Sequence, residues 1–159
     1  MADDFSPLPP APADPLHPDH GHLKCVVVTP ERVFLDEVVD YVVLPLEGGE
    51  AGIMPRHQSM IGRLTFGTLR IRTGEIGREY FVDGGFAQVK DNVVTVLTGR
   101  ATPVKSLDAA AAERDFELVL SKQVKGPRDQ EDKDKALQRA RNLRHIARKS
   151  SGVAENKLG

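Results

Sequence analysis

Residues 68–72, which read TLRIR, alternate polar and apolar side chains. A period of two is typical of a β-strand that has one wet face and one buried face. We therefore predict that Leu69 and Ile71 point into a core while their neighbours face water. The segment lies within residues 22–104, a region rich in β-branched side chains and punctuated by glycine. This region is predicted to form one β-domain.

Further strand-like runs and turn signals follow one another closely through this region. The runs cover residues 23–28, 38–44, 80–82 and 93–97, and the turn signals are EGG at 47–49, TG at 73–74, DGG at 83–85 and DN at 91–92. Such close spacing favours antiparallel hairpins over crossover helices. The pattern predicts a β-sandwich or a barrel.

After Ser106 the period changes from 2 to 3.6, which indicates helices. One face of a first helix, running to about Val124, carries Ala109, Ala112, Phe116, Val119 and Leu120. Gly126-Pro127 is predicted to end it. A second helix from about Asp129 carries a narrow stripe of mostly small side chains, which are Ala136, Ala140, Leu143 and Ala147. Because small side chains let another helix approach closely, we predict a helical hairpin over residues 105–150.

Composition limits the remaining possibilities. Residues 1–21 hold six of the 11 prolines, and both this segment and residues 151–159 are predicted to be disordered tails. A net charge of −1 gives no overall attraction to nucleic acid or to anionic lipid. Cys25 is the only cysteine, which excludes an internal disulfide and favours a reducing compartment. No apolar run is long enough to span a bilayer, and the start does not resemble a secretion signal.

The second helix is charged asymmetrically. Its start is acidic, whereas residues 135–149 contain six Lys or Arg side chains and no carboxylate. This arrangement complements the helix dipole. Arg141, Arg144 and Arg148, however, also follow one another at helical spacings of 3 and 4; we call them the arginine ridge. The ridge is either a solvated face or a docking face for an acidic partner.

No catalytic, cofactor or metal site is predicted. His57 has no nucleophile or carboxylate partner that the sequence can place beside it. Glu47 and Glu50 lie in a polar glycine-rich loop where nothing would raise a carboxyl pKa. The DGG segment lacks the Lys and Ser/Thr of a phosphate-binding loop. His17, Asp19, His20 and His22 fall in the predicted tail, without an ordered scaffold to hold a metal.

Four segments in order resemble one known family. Residues 28–34 (VTPERVF), 43–57 (VLPLEGGEAGIMPRH), 67–71 (GTLRI) and 80–97 (YFVDGGFAQV followed by NVVTVL from 92) are similar to motifs of the epsilon subunit of F-type ATP synthases. The resemblance implies a flattened antiparallel β-sandwich followed by a C-terminal two-helix antiparallel hairpin. It also implies a non-catalytic rotor subunit that couples proton flow to ATP synthesis.

The resemblance further implies partners and residues. Glu50, Met54 and His57 match positions near the contacts with the gamma subunit and the c-ring. The arginine ridge matches basic residues that meet an acidic loop of the beta subunit when the hairpin extends and inhibits ATP hydrolysis. The protein would then lie peripherally at the cytoplasmic face of the bacterial inner membrane.

Regulatory ATP binding is not expected. Family members that bind ATP carry an Ile/Leu-Asp-x-x-Arg-Ala motif, but residues 107–112 read LDAAAA, so Ala111 stands where the arginine belongs. A methyl group cannot pair with phosphate, although Arg114 lies one turn later.

Two other classes remain open from the residues alone. One is a free-standing β-sandwich that binds a small ligand or peptide and uses the hairpin to dimerise, and the other, less favoured, is an enzyme. Co-purification with a large membrane-attached complex would distinguish a rotor subunit from a free module.

Overall fold

The computed structural model describes residues 21–152, in which a mostly β region precedes two helices. The strands are β1 (Leu23–Val28), β2 (Val33–Val39), β3 (Tyr41–Leu46), β4 (Gly49–Ile53), β5 (Met60–Thr73), β6 (Ile76–Lys90), β7 (Val93–Leu97) and β8 (Ala101–Pro103). The helices are α1 (Ala109–Ser121) and α2 (Pro127–Ser150). The predicted fold class, a β-domain followed by a two-helix region, is confirmed. Almost all of both predicted tails lies outside the described residues.

The strands join along one hydrogen-bonded path, β2-β1-β7-β6-β5-β3-β4, with β8 beside β6. Neighbouring strands are antiparallel except for β1 and β7, which are parallel. The predicted antiparallel sandwich is therefore confirmed, with this one parallel pair as its exception. Turn signals report only local hairpins, whereas β1 and β7 are joined by most of the domain, a connection long enough for parallel pairing.

The core is built from the inward faces of these strands. Leu69 and Ile71 are buried as predicted, and they pack in one cluster with Leu23, Val39, Leu44, Val82, Val94 and Val96 among others. Cys25 lies in the same cluster, and burial raises the pKa of its thiol to about 12. Since the thiolate is the reactive form, Cys25 is a structural apolar residue in the folded domain.

A bend in β6 replaces one of the predicted hairpin turns. The DGG segment lies inside this strand, and its two glycines have φ of 68° and 107°. Before the bend Tyr80 and Val82 point into the core, whereas after it Ala87 and Val89 do so. The alternation therefore shifts by one residue at Gly84-Gly85. The alternation in β5 shifts at the same level, because the buried residues are Leu64 on one side of the bend and Leu69 on the other side of the bend.

The other turn predictions are confirmed, with one strand boundary corrected. Asp91 and Asn92 both have positive φ, 49° and 61°, the combination of a type I′ turn between β6 and β7. The predicted run 38–44 is instead divided at Asp40 into the end of β2 and the start of β3. The Asp40 carboxylate accepts a hydrogen bond from the backbone N–H of Gly74 at 2.7 Å, which holds its pKa below the usual value.

The hairpin lies packed against the sandwich. Ala112, Leu143 and Ala147 are buried against Phe81 of β6, with Phe66 and Ile146 at the margin. The small-residue stripe on α2 is thus confirmed at Ala140, Leu143 and Ala147, and Ala136 is half-buried. Leu120, by contrast, was expected on the packed face of α1 and is 49% exposed.

The helix ends differ from prediction by a few residues. Asp108 caps α1, because its carboxylate accepts the backbone N–H groups of Ala110 and Ala111. The backbone of Lys122 is extended, so α1 ends at Ser121 instead of about Val124, and Lys133 Nζ donates to the carbonyls of Leu120 and Lys122 at this end. Pro127 occupies the first turn of α2, where its missing N–H costs nothing.

Candidate interaction surfaces

Met54 and His57 are brought together in the turn that follows β4. The backbone N–H of His57 donates to the carbonyl of Met54 at 3.1 Å, and Arg56 between them has a φ of 66°. Pro55 followed by a positive φ is typical of a type II turn. The N–H of Arg56 donates to Asn92 Oδ1 at 2.6 Å, which fixes this turn beside the β6–β7 turn. Met54 is 62% exposed, so it is not a core side chain.

Glu50 lies at the other end of β4, four residues and roughly 13 Å of strand away from Met54. Its carboxylate accepts a hydrogen bond from Arg70 at 2.5 Å. The surrounding groove is also lined by His145 and Lys149 of α2. The structure therefore separates Glu50 from the other two residues with which the sequence grouped it.

A row of apolar side chains crosses the outer face of the sandwich, and sequence reasoning missed it. Strand register places Phe86 opposite Leu97, Leu97 opposite Val28, and Val28 opposite Val33. These four residues form what we call the apolar row. Phe86 and Leu97 are each 52% exposed.

One end of the apolar row carries a cation. Arg63 is the register partner of Phe86, and its guanidinium carbon lies 5.7 Å from the centre of the Phe86 ring. Ile61, two residues earlier on β5, is also exposed. The signal was present in the sequence, because Leu97 breaks the alternation expected of a wet face. Placing it beside Phe86, Val28 and Val33 required the register of four strands.

Two polar contacts hold α2 on the bend of β6. Arg139 Nε lies 3.0 Å from Asp83 Oδ1, and Asn142 Nδ2 donates to the carbonyl of Phe66 at 2.7 Å. Phe66 and Asp83 are themselves register partners, so both contacts meet the sandwich at one level. The buried Asp83 Oδ1 receives no aligned hydrogen bond from residues 21–152, so the charge of Arg139 compensates for its burial.

The arginine ridge is only partly open to solvent. Arg141 is exposed and has no ion pair within the described part of the chain. Arg144 lies 3.2 Å from Glu113 of α1 and stacks 3.8 Å from the centre of the Phe116 ring. Arg148 reaches the other oxygen of Glu113 at 2.6 Å. In this arrangement the three arginines are not equivalent.

Comparison with known proteins decides the family. The family model for the β-sandwich domain of the ATP synthase delta/epsilon chain matches residues 22–104. An ATP synthase epsilon chain from Rhodopirellula baltica is 47% identical over 126 residues, covering 79% of this chain and 98% of that protein. The chain belongs to the ATP synthase epsilon-chain family.

Two solved structures agree with this epsilon-chain fold. A chain of the Euglena gracilis mitochondrial ATP synthase, in a cryo-EM structure of OSCP, F1 and c-ring, superposes with a TM-score of 0.71 at 22% identity. The match covers 91% of this chain and 98% of that one. A chain from the central stalk and c-ring of the Tetrahymena thermophila mitochondrial enzyme gives a TM-score of 0.65 at 14% identity, covering 79% and 96% respectively.

An epsilon chain is a subunit of the synthase complex and not its catalytic subunit. Ion-pairing and hydrogen-bonding carboxylates lie on its sandwich. Arg78 pairs with Glu37 of β2 and holds the pKa of that carboxyl below its usual value. His22 Nδ1 lies 3.1 Å from Asp40 Oδ1, within hydrogen-bond distance at the sheet edge. Within residues 21–152 no three His, Cys, Asp or Glu side chains are grouped closely enough to hold a metal ion.

Where some epsilon chains carry the ATP motif, this chain has a helix N-cap. Asp108 uses its carboxylate on the first turn of α1, and Ala111, at the place of the motif arginine, offers it only a backbone N–H. Arg114 is exposed on α1. Neither helix in the described part of the chain is long and apolar enough to cross a bilayer.

Proposed function

We propose that this epsilon chain is a central-stalk rotor subunit that binds the gamma subunit and the c-ring and transmits torque from proton flow to ATP synthesis. Family membership supports this assignment, as do the two structural neighbours, which come from assemblies that include a c-ring. The proposal places the protein peripherally at the cytoplasmic face of the bacterial inner membrane. It needs no cofactor and no regulatory ATP.

The observation that carries the proposal is the apolar row. A row of exposed Phe, Leu and Val side chains across a sheet is costly to leave in water and is typical of a protein interface. We assign this face to the gamma subunit. The turn of Met54 and His57 adjoins the β6–β7 end of the same sheet, so we assign these residues to the rotor contact as well. Glu50 remains a proposed contact, but on a separate edge.

Phe86→Asp is expected to weaken binding to the gamma subunit by tenfold or more. An aromatic side chain buried in an interface typically contributes about 2 kcal/mol or more, and aspartate would remove that apolar contact and bring a charge into the interface, even with Arg63 beside it. The measurement is the yield of gamma that co-purifies with the tagged chain. Ile76→Asp is the matched control, because Ile76 is another exposed apolar residue, at the β5–β6 turn and away from the row. Equal yields from both variants would contradict the assignment.

We further assign an inhibitory role to the hairpin. The packed hairpin is held by a small apolar cluster and a few polar contacts, among them those of Arg139 and Asn142, and the two ends of α2 carry opposite charge. A partner with an acidic surface, here the beta subunit, could therefore favour an extended arrangement through the arginine ridge. In that arrangement the hairpin would block rotation in the direction of ATP hydrolysis.

Truncation after Ser106 is expected to raise ATP hydrolysis by the assembled complex several-fold, because the blocking element is removed. The measurement is steady-state hydrolysis by complexes that contain equal amounts of the full-length or truncated chain. Truncation uncovers Phe66 and Phe81, so retention of the shortened chain in the complex must be verified first. Unchanged hydrolysis by a complex that retains it would exclude inhibition by the hairpin.

A further inference from the structure

Glu113 of α1 forms ion pairs with two of the three arginines of the arginine ridge. Its Oε1 lies 3.2 Å from Arg144 and its Oε2 lies 2.6 Å from Arg148, so both carboxylate oxygens are engaged. Charge-assisted contacts of this kind are the stronger class of hydrogen bond. One acidic side chain thus offers two arginines the type of ligand that an acidic partner would offer.

The Phe116 ring reinforces this pairing for Arg144. The guanidinium lies over the ring at 3.8 Å from its centre, and the side chain is only 25% exposed. A cation held on one face by an aromatic ring and at its edge by a carboxylate has little room for a further ligand. Arg144 therefore cannot meet an outside carboxylate in full while α2 lies on α1.

We propose that Glu113 competes with the acidic partner for the arginine ridge. While α2 is paired with α1, which we call the closed hairpin, Glu113 keeps Arg144 and Arg148 from binding that partner. This inference rests on the proposed inhibitory function of the hairpin. Arg141, which is exposed on the same helix, is left free to make the first contact. Capture of the other two arginines then requires the α1–α2 pairing to open.

Binding of the partner is thermodynamically coupled to opening of the hairpin. Any contact made only in the closed hairpin lowers the population of the open one, and a partner must replace that contact before it gains affinity. Removal of two partly exposed ion pairs is expected to shift the ratio of open to closed hairpin by about two- to tenfold.

The test uses Glu113→Gln, which keeps the size of the side chain and removes its charge. Glu117→Gln is the matched control, since Glu117 is an exposed carboxylate one turn later on α1 and has no ion pair within residues 21–152. Two quantities are measured: ATP hydrolysis by the assembled complex, and hydrogen exchange at backbone amides 140–148 in the isolated full chain.

For Glu113→Gln we expect exchange to be faster and hydrolysis lower, each by about two- to tenfold relative to Glu117→Gln. Equal behaviour of the two variants would overturn the proposal. Faster exchange with unchanged hydrolysis would also overturn it, because Glu113 would then only stabilise the hairpin. If truncation after Ser106 leaves hydrolysis unchanged, the inhibitory function itself fails, whereas the exchange measurement still reports whether Glu113 closes the hairpin.

Discussion

Gly85→Ala is expected to destabilise the domain by about 3 kcal/mol or more. A Cβ atom at this position would lie 1.9 Å from the carbonyl oxygen of Leu97, far inside any real contact. The obstacle is backbone of β7 and not the end of a flexible side chain, so it cannot move aside without breaking strand pairing. The φ of 107° adds strain for any residue with a side chain.

The measurement is urea unfolding followed by far-UV circular dichroism. Gly77→Ala is the matched control on the same strand, because a Cβ there would meet nothing within 4 Å and its φ is not positive. The control is expected to change stability by about 0.5 kcal/mol or less, and stabilisation is the favoured direction. If the two variants unfold at the same urea concentration, Gly85 is not closely packed against the backbone of β7.

The bend matters because both proposed surfaces adjoin it. On one side Asp83 receives Arg139 of α2, and on the other Phe86 enters the apolar row. Two glycines separate these side chains. A straight strand with strict alternation would leave Asp83 facing outward but would turn Phe86 toward the core in place of Ala87 and Val89. Because the alternation shifts at Gly84-Gly85, the first half of β6 contacts the hairpin and the second half contributes to the apolar row.

Local signals in the sequence were sufficient for much of the fold. The alternation at residues 68–72 correctly predicted that Leu69 and Ile71 are buried, and the DN segment correctly predicted a turn between two strands. These features depend on a side chain and its immediate neighbours, which is what a pattern of period two records. The helical stripe at Ala140, Leu143 and Ala147 succeeded for the same reason.

Features that depend on contacts between distant segments were not predictable in this way. DGG has the composition of a turn, and only the approach of Leu97 shows why two glycines lie inside a strand. The spacing of the arginine ridge can be read from the sequence, but its pairing with Glu113 depends on how α1 lies against α2. Glu50 and His57 are close in sequence, yet β4 runs between them and separates them.

Leu69→Ala is expected to cost about 2–5 kcal/mol of unfolding free energy. Leu69 is 1% exposed and belongs to the main core cluster, where its neighbours come from strands on both sides of β5. Removal of its isobutyl group would leave a cavity that the surrounding strands cannot fill, because their positions are fixed by backbone hydrogen bonds.

Leu118→Ala is the matched control for this substitution. It makes the same chemical change on α1, but Leu118 is 68% exposed, so no cavity and little loss of buried area follow. Alanine also has a slightly higher helix propensity than leucine, so the control is expected to lie within about 0.5 kcal/mol of the wild type. Both variants are compared by urea unfolding under one set of conditions. A cost below about 1 kcal/mol for Leu69→Ala would contradict a tightly packed core at this position, since partial collapse rarely recovers so much of a lost leucine.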